Sequence, residues 1–381
     1  MTAATKRVLV APDKFAGTLT AHDAAQAMSS GWSSVRPNDV VDRCPLTDGG
    51  PGFLDVVAAN VAGAASTTMA TGPNGTPVSA RLVRCDEGGR RTIYLEAADV
   101  CGLHLAPSPR EPRAMTTAGV ADLLAAAVGA GADRVVVGVG GTASTDGGAG
   151  MVRRWAGRYG AWPATIDLVG AVDVLVPLLG DGGAAHGFAR QKGATDVDVE
   201  RLEQQLIGWA STSAGDPDRP GAGAGGGLGF GLALLGGRLE SGGALVARLV
   251  DLPARARASA VVLTGEGRLD PTSLVGKVVG VVAAANPRPP TWALVGADAL
   301  PPQLRHQAGL RVASLTERFG DQAARTAPAV RLAELAAELA ADLSADPSSD
   351  LSADFSADFS ADPDLPAPPG QPFVRSPDPP G

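Results

Sequence analysis

The sequence predicts an α/β fold, and three apolar runs with the segments between them carry this prediction. Residues 7–12, 134–139 and 258–264 are short, rich in valine and leucine, and followed by polar or glycine-rich stretches. Such runs are typical of buried strands. Because segments with helical periodicity lie between them, the order of elements is that of the α/β class.

The first elements are expected in the order strand, helix, strand, helix. After the strand at 7–12, Thr20 is placed to cap a helix with Asp23 at its third position, as in a capping box, and this helix ends at about Gly31. A strand at 40–45 and a helix at 53–61 follow.

Residues 66–112 differ in character from the first part of the chain. Short β-type runs at 65–69, 78–85 and 92–96 are separated by Gly-Pro-Asn-Gly and Glu-Gly-Gly turns, which predicts an antiparallel patch. The remaining expected elements are a helix capped by Thr117 and running to 128, strands at 134–139, 258–264 and 292–295, and helices at 200–210, 276–286 and 330–343.

Composition and charge limit the classes of function. The 381-residue chain has a net charge of −8, most of it in the last 38 residues, where seven aspartates and one arginine occur among Ser-Ala-Asp repeats and prolines. We expect this tail, 344–381, to be disordered. The body has no basic stripe and no apolar run of membrane-spanning length, so neither nucleic acid nor a membrane is an expected partner.

Cysteine usage bears on the compartment. Cys44, Cys85 and Cys101 are an odd number without a CxxC spacing, and the N-terminus lacks the apolar core of a signal peptide. We therefore expect reduced thiols and a cytoplasmic protein. The sequence leaves open whether the chain is a monomer or a homodimer.

Lysine is rare in the body, where arginine supplies most positive charge. The four lysines are Lys6, Lys14, Lys192 and Lys277, and the last three lie in motif-like stretches, Pro-Asp-Lys-Phe, Gln-Lys-Gly and Gly-Lys. An ammonium is a compact charge that can contact phosphate or carboxylate oxygens, which indicates anion binding at these three positions.

A Thr-Asp-Gly-Gly sequence occurs twice, around Asp48 and around Asp146. The second copy follows a predicted strand and the residues Gly140, Gly141 and Ser144, a pattern that can bring backbone amides close to a polyanion. In this interpretation the aspartate holds Mg²⁺ or takes a proton. The alternative is a pair of ordinary Asp-Gly turns.

Neither common phosphate loop is present in its usual context. Residues 221–226 match GxGxxG, but no strand precedes them, so a nicotinamide-dependent dehydrogenase is disfavoured. Gly276-Lys277 lacks the spacing of a P-loop. Instead, carboxylates, lysines and glycine-rich loops stand mostly at the ends of predicted strands, which suits phosphoryl transfer. The set comprises Asp13, Lys14, Asp48, Glu96, Asp146, Lys192, the glycine run 221–231, Glu266, Asp270 and Lys277.

Several stretches, in order along residues 6–343, resemble the glycerate kinase family of the type that makes 2-phosphoglycerate. They are Ala-Pro-Asp-Lys-Phe at 11–15, Asp-Gly-Gly at 48–50, Glu96-Ala97 with Gly102-Leu103, the run 140–151, Asp173 with Pro177-Leu178 and Gly180, Gln-Lys-Gly-Ala at 191–194, the run 221–229, and 264–270 with Gly276-Lys277.

This resemblance implies a two-domain α/β fold with a cleft between the domains. A flavodoxin-like parallel-sheet domain, expected at 1–65 and 258–343, has a second, mixed α/β domain inserted at 66–257. The implied reaction is ATP-dependent phosphorylation of glycerate in that cleft, with Mg²⁺. The implied sites are Asp48, Asp146 and Lys192 for catalysis, Asp146 also for the metal, Asp13, Lys14, Glu96 and Ser144 for substrate, and Gly140, Gly141, Gly223, Gly226, Glu266, Asp270 and Lys277 for nucleotide.

The chain departs from the family pattern at four positions and in one segment. Ala16 stands where the pattern usually has Lys, Pro51 where it has Glu, Val176 where it has Asn and Arg190 where it has Pro. The chain is also shorter than expected at 152–172. An alternative is therefore a decayed homologue that binds glycerate or nucleotide without efficient turnover.

Overall fold

The structure, a computed structural model, describes residues 5–108, 110–288 and 290–345. Two large β-sheets and three helical layers alternate in it, so that each large sheet has helices on both faces. Except for its first two residues, which end the last helix, the tail predicted to be disordered lies outside the described residues.

The first sheet is entirely parallel and has five strands. In space their order is β13-β11-β9-β1-β2, so that, counted along the chain within this sheet, the order is 2-1-3-4-5. This is the flavodoxin-like order, in which ligands bind beyond the carboxyl ends of the strands. The strands are β1 (Arg7–Val10), β2 (Val40–Arg43), β9 (Val261–Thr264), β11 (Thr291–Val295) and β13 (Leu310–Ser314).

The second sheet is mixed and has six strands in the order β3-β4-β5-β6-β7-β8. β3, β4 and β5 pair antiparallel, which confirms the predicted antiparallel patch, and β5 to β8 pair parallel. Its strands are β3 (Gly63–Thr71), β4 (Pro77–Glu87), β5 (Arg90–Glu96), β6 (Arg134–Gly138), β7 (Asp167–Val172) and β8 (Arg238–Ser241); a separate short parallel pair joins β10 (Arg268–Leu269) and β12 (Ala297–Asp298).

The helices form the other three layers. α1 and α15 cover the outer face of the first sheet, and α4, α5 and α8 cover the outer face of the second. The middle layer of α2, α9, α10 and α11 lies between the sheets. The helices are α1 (Ala21–Val35), α2 (Phe53–Asn60), α3 (Ala98–Cys101), α4 (Ala118–Gly129), α5 (Ala149–Tyr159), α6 (Ala184–Phe188), α7 (Asp196–Ser211), α8 (Ala224–Leu234), α9 (Gly242–Leu249), α10 (Leu252–Ala258), α11 (Val278–Ala285), α12 (Pro302–Gln307), α13 (Leu315–Phe319), α14 (Asp321–Thr326) and α15 (Pro328–Ala345), with short 3₁₀ turns at Leu103–Leu105, Arg190–Lys192 and Pro271–Leu274.

Alternation along the strands explains the layering. In β1, Val8 and Val10 face α1 and α15, whereas Leu9 faces the middle layer. In β6, Val136 faces that same middle layer from the other sheet. One apolar core is therefore shared by both sheets, and it fixes the position of each sheet relative to the other.

The predicted two-domain α/β fold is confirmed, and its exact boundaries stay a prediction. Along the chain, all strands of the second sheet come after β2 and before β9, as expected for an inserted domain. The expected boundary after residue 65 falls inside β3, which begins at Gly63. No helix in the described part of the chain is long and apolar enough to cross a membrane.

Candidate active site

Polar loops from both sheets meet at one edge of the molecule. Asp13 follows β1, Asp48 follows β2, and Glu266 follows β9, all in the first sheet. Asp173 follows β7 in the second sheet. Because these strands are parallel, their carboxyl ends bring the carboxylates to the same side of each sheet.

Backbone hydrogen bonds join these loops. The Asp13 N–H donates to the Gly265 carbonyl at 2.8 Å, and the Gly140 N–H donates across the cleft to the Gly49 carbonyl at 3.1 Å. Gly140 must lack a side chain, since a Cβ there would lie 2.7 Å from Asp173 Oδ2. The cleft therefore has a fixed backbone frame.

Lys14 and two aspartates form the charged centre of this frame. Lys14 Nζ lies 3.0 Å from Asp48 Oδ1 and 3.6 Å from Asp13 Oδ1. Asp13 and Asp48 are only 5% and 8% exposed. These contacts bring one cation and two carboxylates together with little solvent to screen them.

Burial and the contact with Lys14 shift the pKa values of Asp13 and Asp48 in opposite directions. Burial would raise the pKa of Asp48, but the Lys14 ammonium outweighs it and holds that pKa below its ordinary value. Burial and the neighbouring Asp48 charge raise the pKa of Asp13 to about 7. Asp48 is therefore the ionised member of the pair at neutral pH.

Glu266 and Lys277 extend the charged centre. Burial raises the pKa of Glu266 to about 7, although Lys277 opposes that shift. Glu266 Oε1 is buried, with no hydrogen-bond partner among the described residues. Lys277 Nζ donates to Thr272 Oγ1 at 2.9 Å. Asp270, predicted to bind nucleotide, accepts the Thr272 N–H and hydroxyl at 2.9 and 2.6 Å, so its carboxylate caps the local turn.

Lys192 ends the short 3₁₀ turn Arg190–Lys192 and is buried beside the loop that follows β6. Its Nζ donates to the Ser144 carbonyl at 2.6 Å and to Thr142 Oγ1 at 3.3 Å. Burial lowers the pKa of Lys192 to about 8. Gly225 and Gly226 beside it have φ of 61° and 68°, and a Cβ on Gly226 would lie 2.7 Å from the Lys192 ammonium.

Two cavities adjoin at the charged centre, and both include Gly17 and Pro51 in their walls. The first cavity, about 640 Å³, is lined by Asp13 and Lys14 among other polar and apolar residues. The second, about 600 Å³, is lined by residues that include Gly141, Asp173, Gln191, Lys192, Gly225 and Gly226. Each has the size of a small-molecule site.

Asp146, predicted to be catalytic and to bind the metal, makes a different set of contacts. Its Oδ2 accepts the Thr117 N–H and hydroxyl, both at 2.9 Å, the Thr116 hydroxyl at 3.3 Å and the Gly150 N–H at 3.1 Å. Its Oδ1 accepts the Gly148 N–H at 3.1 Å. The carboxylate thus joins the N-termini of α4 and α5, a geometry that disfavours both predicted roles, which remain untested.

Thr117 precedes α4 as predicted, but its hydroxyl does not cap that helix. It donates to Asp146 and accepts the Met151 N–H at 3.1 Å. The pairing was hidden from sequence analysis because the two residues lie 29 positions apart.

Glu96 and Ser144, both predicted to bind substrate, are buried in the protein. The Glu96 carboxylate accepts the Gly52 and Leu54 N–H groups at 2.9 and 3.0 Å, at the start of α2. Ser144 is completely buried, and its carbonyl positions Lys192. Gly223, predicted to bind nucleotide, precedes α8, and its N–H donates to the Val176 carbonyl at 3.0 Å.

Asp173 lines the second cavity, although it is not among the site residues predicted from the sequence. β7, which precedes it, was not predicted, because Gly170 and Ala171 interrupt its short apolar run. A carboxylate directly after a parallel strand was the available signal.

The four departures from the family pattern are not equivalent in position. Ala16 lines the first cavity and Pro51 lines both. Arg190 instead lies on the surface, where its Nε is 2.9 Å from Asp196 Oδ1. The carbonyl of Val176 accepts the Gly223 N–H.

Comparison with known protein families identifies the family of this chain. The family model described as "Glycerate kinase family" matches residues 8–161 and 156–344, which together make up most of the chain. The chain belongs to the glycerate kinase family. Membership makes it a kinase, a transferase that uses a nucleotide and acts on a small molecule, with glycerate kinase activity as the family's function.

The chain is similar to several individual proteins over most of its length. An uncharacterized protein of Mycobacterium bovis is 41% identical over 82% of this chain and 85% of its own length. The glycerate 2-kinase of Escherichia coli K12 and the glycerate kinase of Bacillus subtilis 168 are 32% and 34% identical, each over 74% of this chain and 82% of its own length.

A solved structure shares the fold. The crystal structure described as "putative glycerate kinase 2 from Salmonella typhimurium LT2" matches this chain with a TM-score of 0.69 at 27% identity. The structural match covers 91% of this chain and 100% of the Salmonella chain.

Proposed function

We propose that this protein transfers a phosphoryl group from ATP to the 2-hydroxyl of glycerate and releases 2-phosphoglycerate. The observation that carries the proposal is the junction of the two cavities. Lys14, held by Asp48, lines one cavity and Lys192 lines the other. A reaction that joins two anionic substrates needs cations at the point where they meet.

Lys192 is suited to bind an anion. It is 5% exposed, and its hydrogen bonds go to two uncharged oxygens, Ser144 O and Thr142 Oγ1. A carboxylate or phosphate in the second cavity would therefore gain a charge-assisted hydrogen bond from a nearly dry ammonium. Gly225 and Gly226 leave room for that approach.

Lys14 is suited to the same task from the other cavity. Burial opposes its charge, but Asp48 and Asp13 hold the pKa of Lys14 above its ordinary value. It is therefore a permanent cation at neutral pH. Asp48 acts through Lys14 in this proposal, as a positioning residue.

The proposed reaction also uses Mg²⁺. Asp146 does not fit as a metal ligand because five donors already surround its carboxylate. Within 5–345, apart from the two undescribed prolines, no group of three His, Cys, Asp or Glu side chains could hold a metal. Mg²⁺ in phosphoryl transfer keeps several waters and needs few carboxylates. We therefore propose that it enters with the nucleotide, and we assign it no residue.

The proposal is tested by a coupled assay of ADP release with purified protein, D-glycerate, ATP and Mg²⁺. We expect glycerate-dependent turnover, and the ³¹P NMR spectrum of the product should show 2-phosphoglycerate. A product that is only 3-phosphoglycerate contradicts the regiochemistry but keeps the kinase. Absence of glycerate-dependent ADP release contradicts the whole proposal.

A decayed homologue is the second candidate, and a specific observation favours it. Two departures from the family pattern, Ala16 and Pro51, border the cavities. The same assay separates the candidates when calorimetry is added: binding of glycerate or nucleotide without ADP release identifies the decayed homologue. The variants Ala16→Lys and Pro51→Glu restore the usual residues and would then be expected to raise turnover.

A further inference from the structure

Asp173 has no role in the function proposed so far, although it lies where the two sheets meet. It follows β7 and lines the second cavity beside Lys192, Gly225 and Gly226. Its charge interacts with Asp48, Lys14 and Lys277 of the opposite sheet. It is thus a carboxylate from the second sheet that faces the charged centre of the first.

The carboxylate of Asp173 is incompletely satisfied. Its Oδ1 is buried and has no hydrogen-bond partner among the described residues. An orphaned buried carboxylate oxygen costs free energy in the folded state, so a bound group that donates to it would remove that cost. A substrate hydroxyl in the second cavity is such a donor.

The other carboxylates of the centre are less suited to take a proton from that hydroxyl. Asp48 Oδ1 already accepts from Lys14 Nζ and from the Gly50 N–H, both at 3.0 Å. Asp13 Oδ1 accepts the Lys14 N–H at 2.7 Å. Glu266 is outside the walls of the two large cavities, as far as the structure describes them.

We propose that Asp173 is the general base that accepts the proton of the glycerate hydroxyl during phosphoryl transfer. The hydroxyl O–H bond breaks and its proton passes to the Asp173 carboxylate, while the oxygen forms a bond to the γ-phosphorus of ATP. The bond from that phosphorus to the bridging oxygen breaks, and ADP leaves with the electron pair. This inference rests on the proposed function.

The electrostatic surroundings agree with this role. Burial and the Asp48 charge raise the pKa of Asp173 to about 6, although Lys14 opposes the shift. Lys277 and Lys192 are the other charged groups facing it. A carboxylate with a pKa near 6 is a stronger base than an ordinary one and is still ionised at pH 7.5.

The test compares wild-type protein with Asp173→Asn and with Asp181→Asn, a matched change at an exposed position. We expect kcat of Asp173→Asn to fall about 10²–10⁴-fold. KM for glycerate should stay within about threefold, because Lys14 and Lys192 remain. Asp181→Asn should be unchanged in both parameters.

Thermal unfolding distinguishes a base from a structural residue. The pKa of Asp173 is higher in the folded protein than in the unfolded chain, so its ionisation lowers stability as pH rises from about 4 to about 6. Asp173→Asn should therefore have a Tm at pH 8 equal to or above that of wild type. Asp13 and Glu266 titrate in both proteins, so the difference between the two proteins isolates Asp173.

Each outcome decides the inference. A large loss of kcat with Tm retained supports it. Retention of more than about a third of kcat, or loss of kcat together with a lower Tm at pH 8, overturns it while leaving the proposed function intact. A wild-type protein that does not phosphorylate glycerate overturns the proposed function, and the base with it.

Discussion

Asp48 and Asp146 both stand in a Thr-Asp-Gly-Gly sequence that follows a parallel strand. Asp48 is paired with a cation, Lys14, at 3.0 Å. Asp146 is surrounded by uncharged donors, the amides and hydroxyls of residues that begin α4 and α5. A carboxylate held by neutral donors fixes a backbone, whereas one held by a buried lysine also orients a charge that a substrate can use.

The second loop nevertheless contributes to the site through its backbone. The Ser144 carbonyl and the Thr142 hydroxyl receive the Lys192 ammonium. Asp146 stabilises this loop from the far side. The two loops therefore position one lysine each, the first by a carboxylate and the second by uncharged oxygens.

Among changes in these two loops, the largest expected effect is that of Asp48→Asn. Without the carboxylate, Lys14 is drawn toward Asp13 and loses the geometry that places it at the junction of the cavities. Loss of one preorganised charge contact typically costs about 10²–10³-fold, and we expect kcat/KM for glycerate to fall by that factor. Steady-state kinetics checks this, and near-wild-type turnover would remove Lys14–Asp48 from the mechanism.

Asp146→Asn is the matched change in the second loop, and we expect it to act on stability. An amide cannot accept all five donors, and hydrogen bonds to a charged group contribute about 1.5–3 kcal/mol each. The free energy of unfolding should drop by about 2–4 kcal/mol, while kcat of the folded fraction stays within about threefold. The reverse result, a large loss of kcat at unchanged stability, would restore Asp146 as a catalytic or metal-binding residue.

The contrast between these aspartates also shows what sequence can and cannot predict. Strand-end positions were predictable from apolar runs, which correctly placed Asp13 after β1 and Glu266 after β9. The distant partners of Asp146 and Glu96 were not, because they lie 29 to 30 and 42 to 44 positions away and include backbone amides, which every residue has. A motif identifies a carboxylate, and only tertiary structure identifies its donors.

Missed elements have a similar cause. β13 (Leu310–Ser314) has only five residues, of mixed polarity, at the edge of its sheet, and its pairing with β11 decides its conformation. The 225–227 segment was predicted to be a glycine-rich loop, and its positive φ values indeed interrupt α8. Short edge strands and interrupted helices carry weak local signals, so packing decides them.

Lys192→Ala tests the lysine that the second loop positions. Its ammonium would bind an anion in the second cavity with a charge-assisted hydrogen bond of about 1.5–3 kcal/mol, so KM for glycerate or ATP should rise about 10- to 100-fold. Lys192→Arg should rescue poorly, because Gly226 and the Ser144 carbonyl leave little room for a planar guanidinium. An unchanged KM in Lys192→Ala would exclude an anion contact.

Gly50→Ala, the smallest expected effect, tests whether the first loop acts through geometry alone. A Cβ at residue 50 would lie 3.0 Å from both Asp48 Oδ1 and Lys14 Nζ, so the ion pair must shift by a few tenths of an ångström. Gly50 does not have a positive φ, so alanine brings no backbone strain. We expect kcat/KM to fall about three- to tenfold, with the free energy of unfolding unchanged within about 1 kcal/mol.

The equivalent change in the second loop, Gly148→Ala, supplies the control for this last experiment. Gly148 has a φ of 72°, and a Cβ there would lie 2.6 Å from the backbone Cα of Gly231, which cannot move as a side chain can. Alanine should therefore destabilise the protein through strain between α5 and α8. If Gly50→Ala instead lowers Tm as much as Gly148→Ala does, both loops are structural, and Lys14 and Asp48 stabilise the fold and do not orient a substrate.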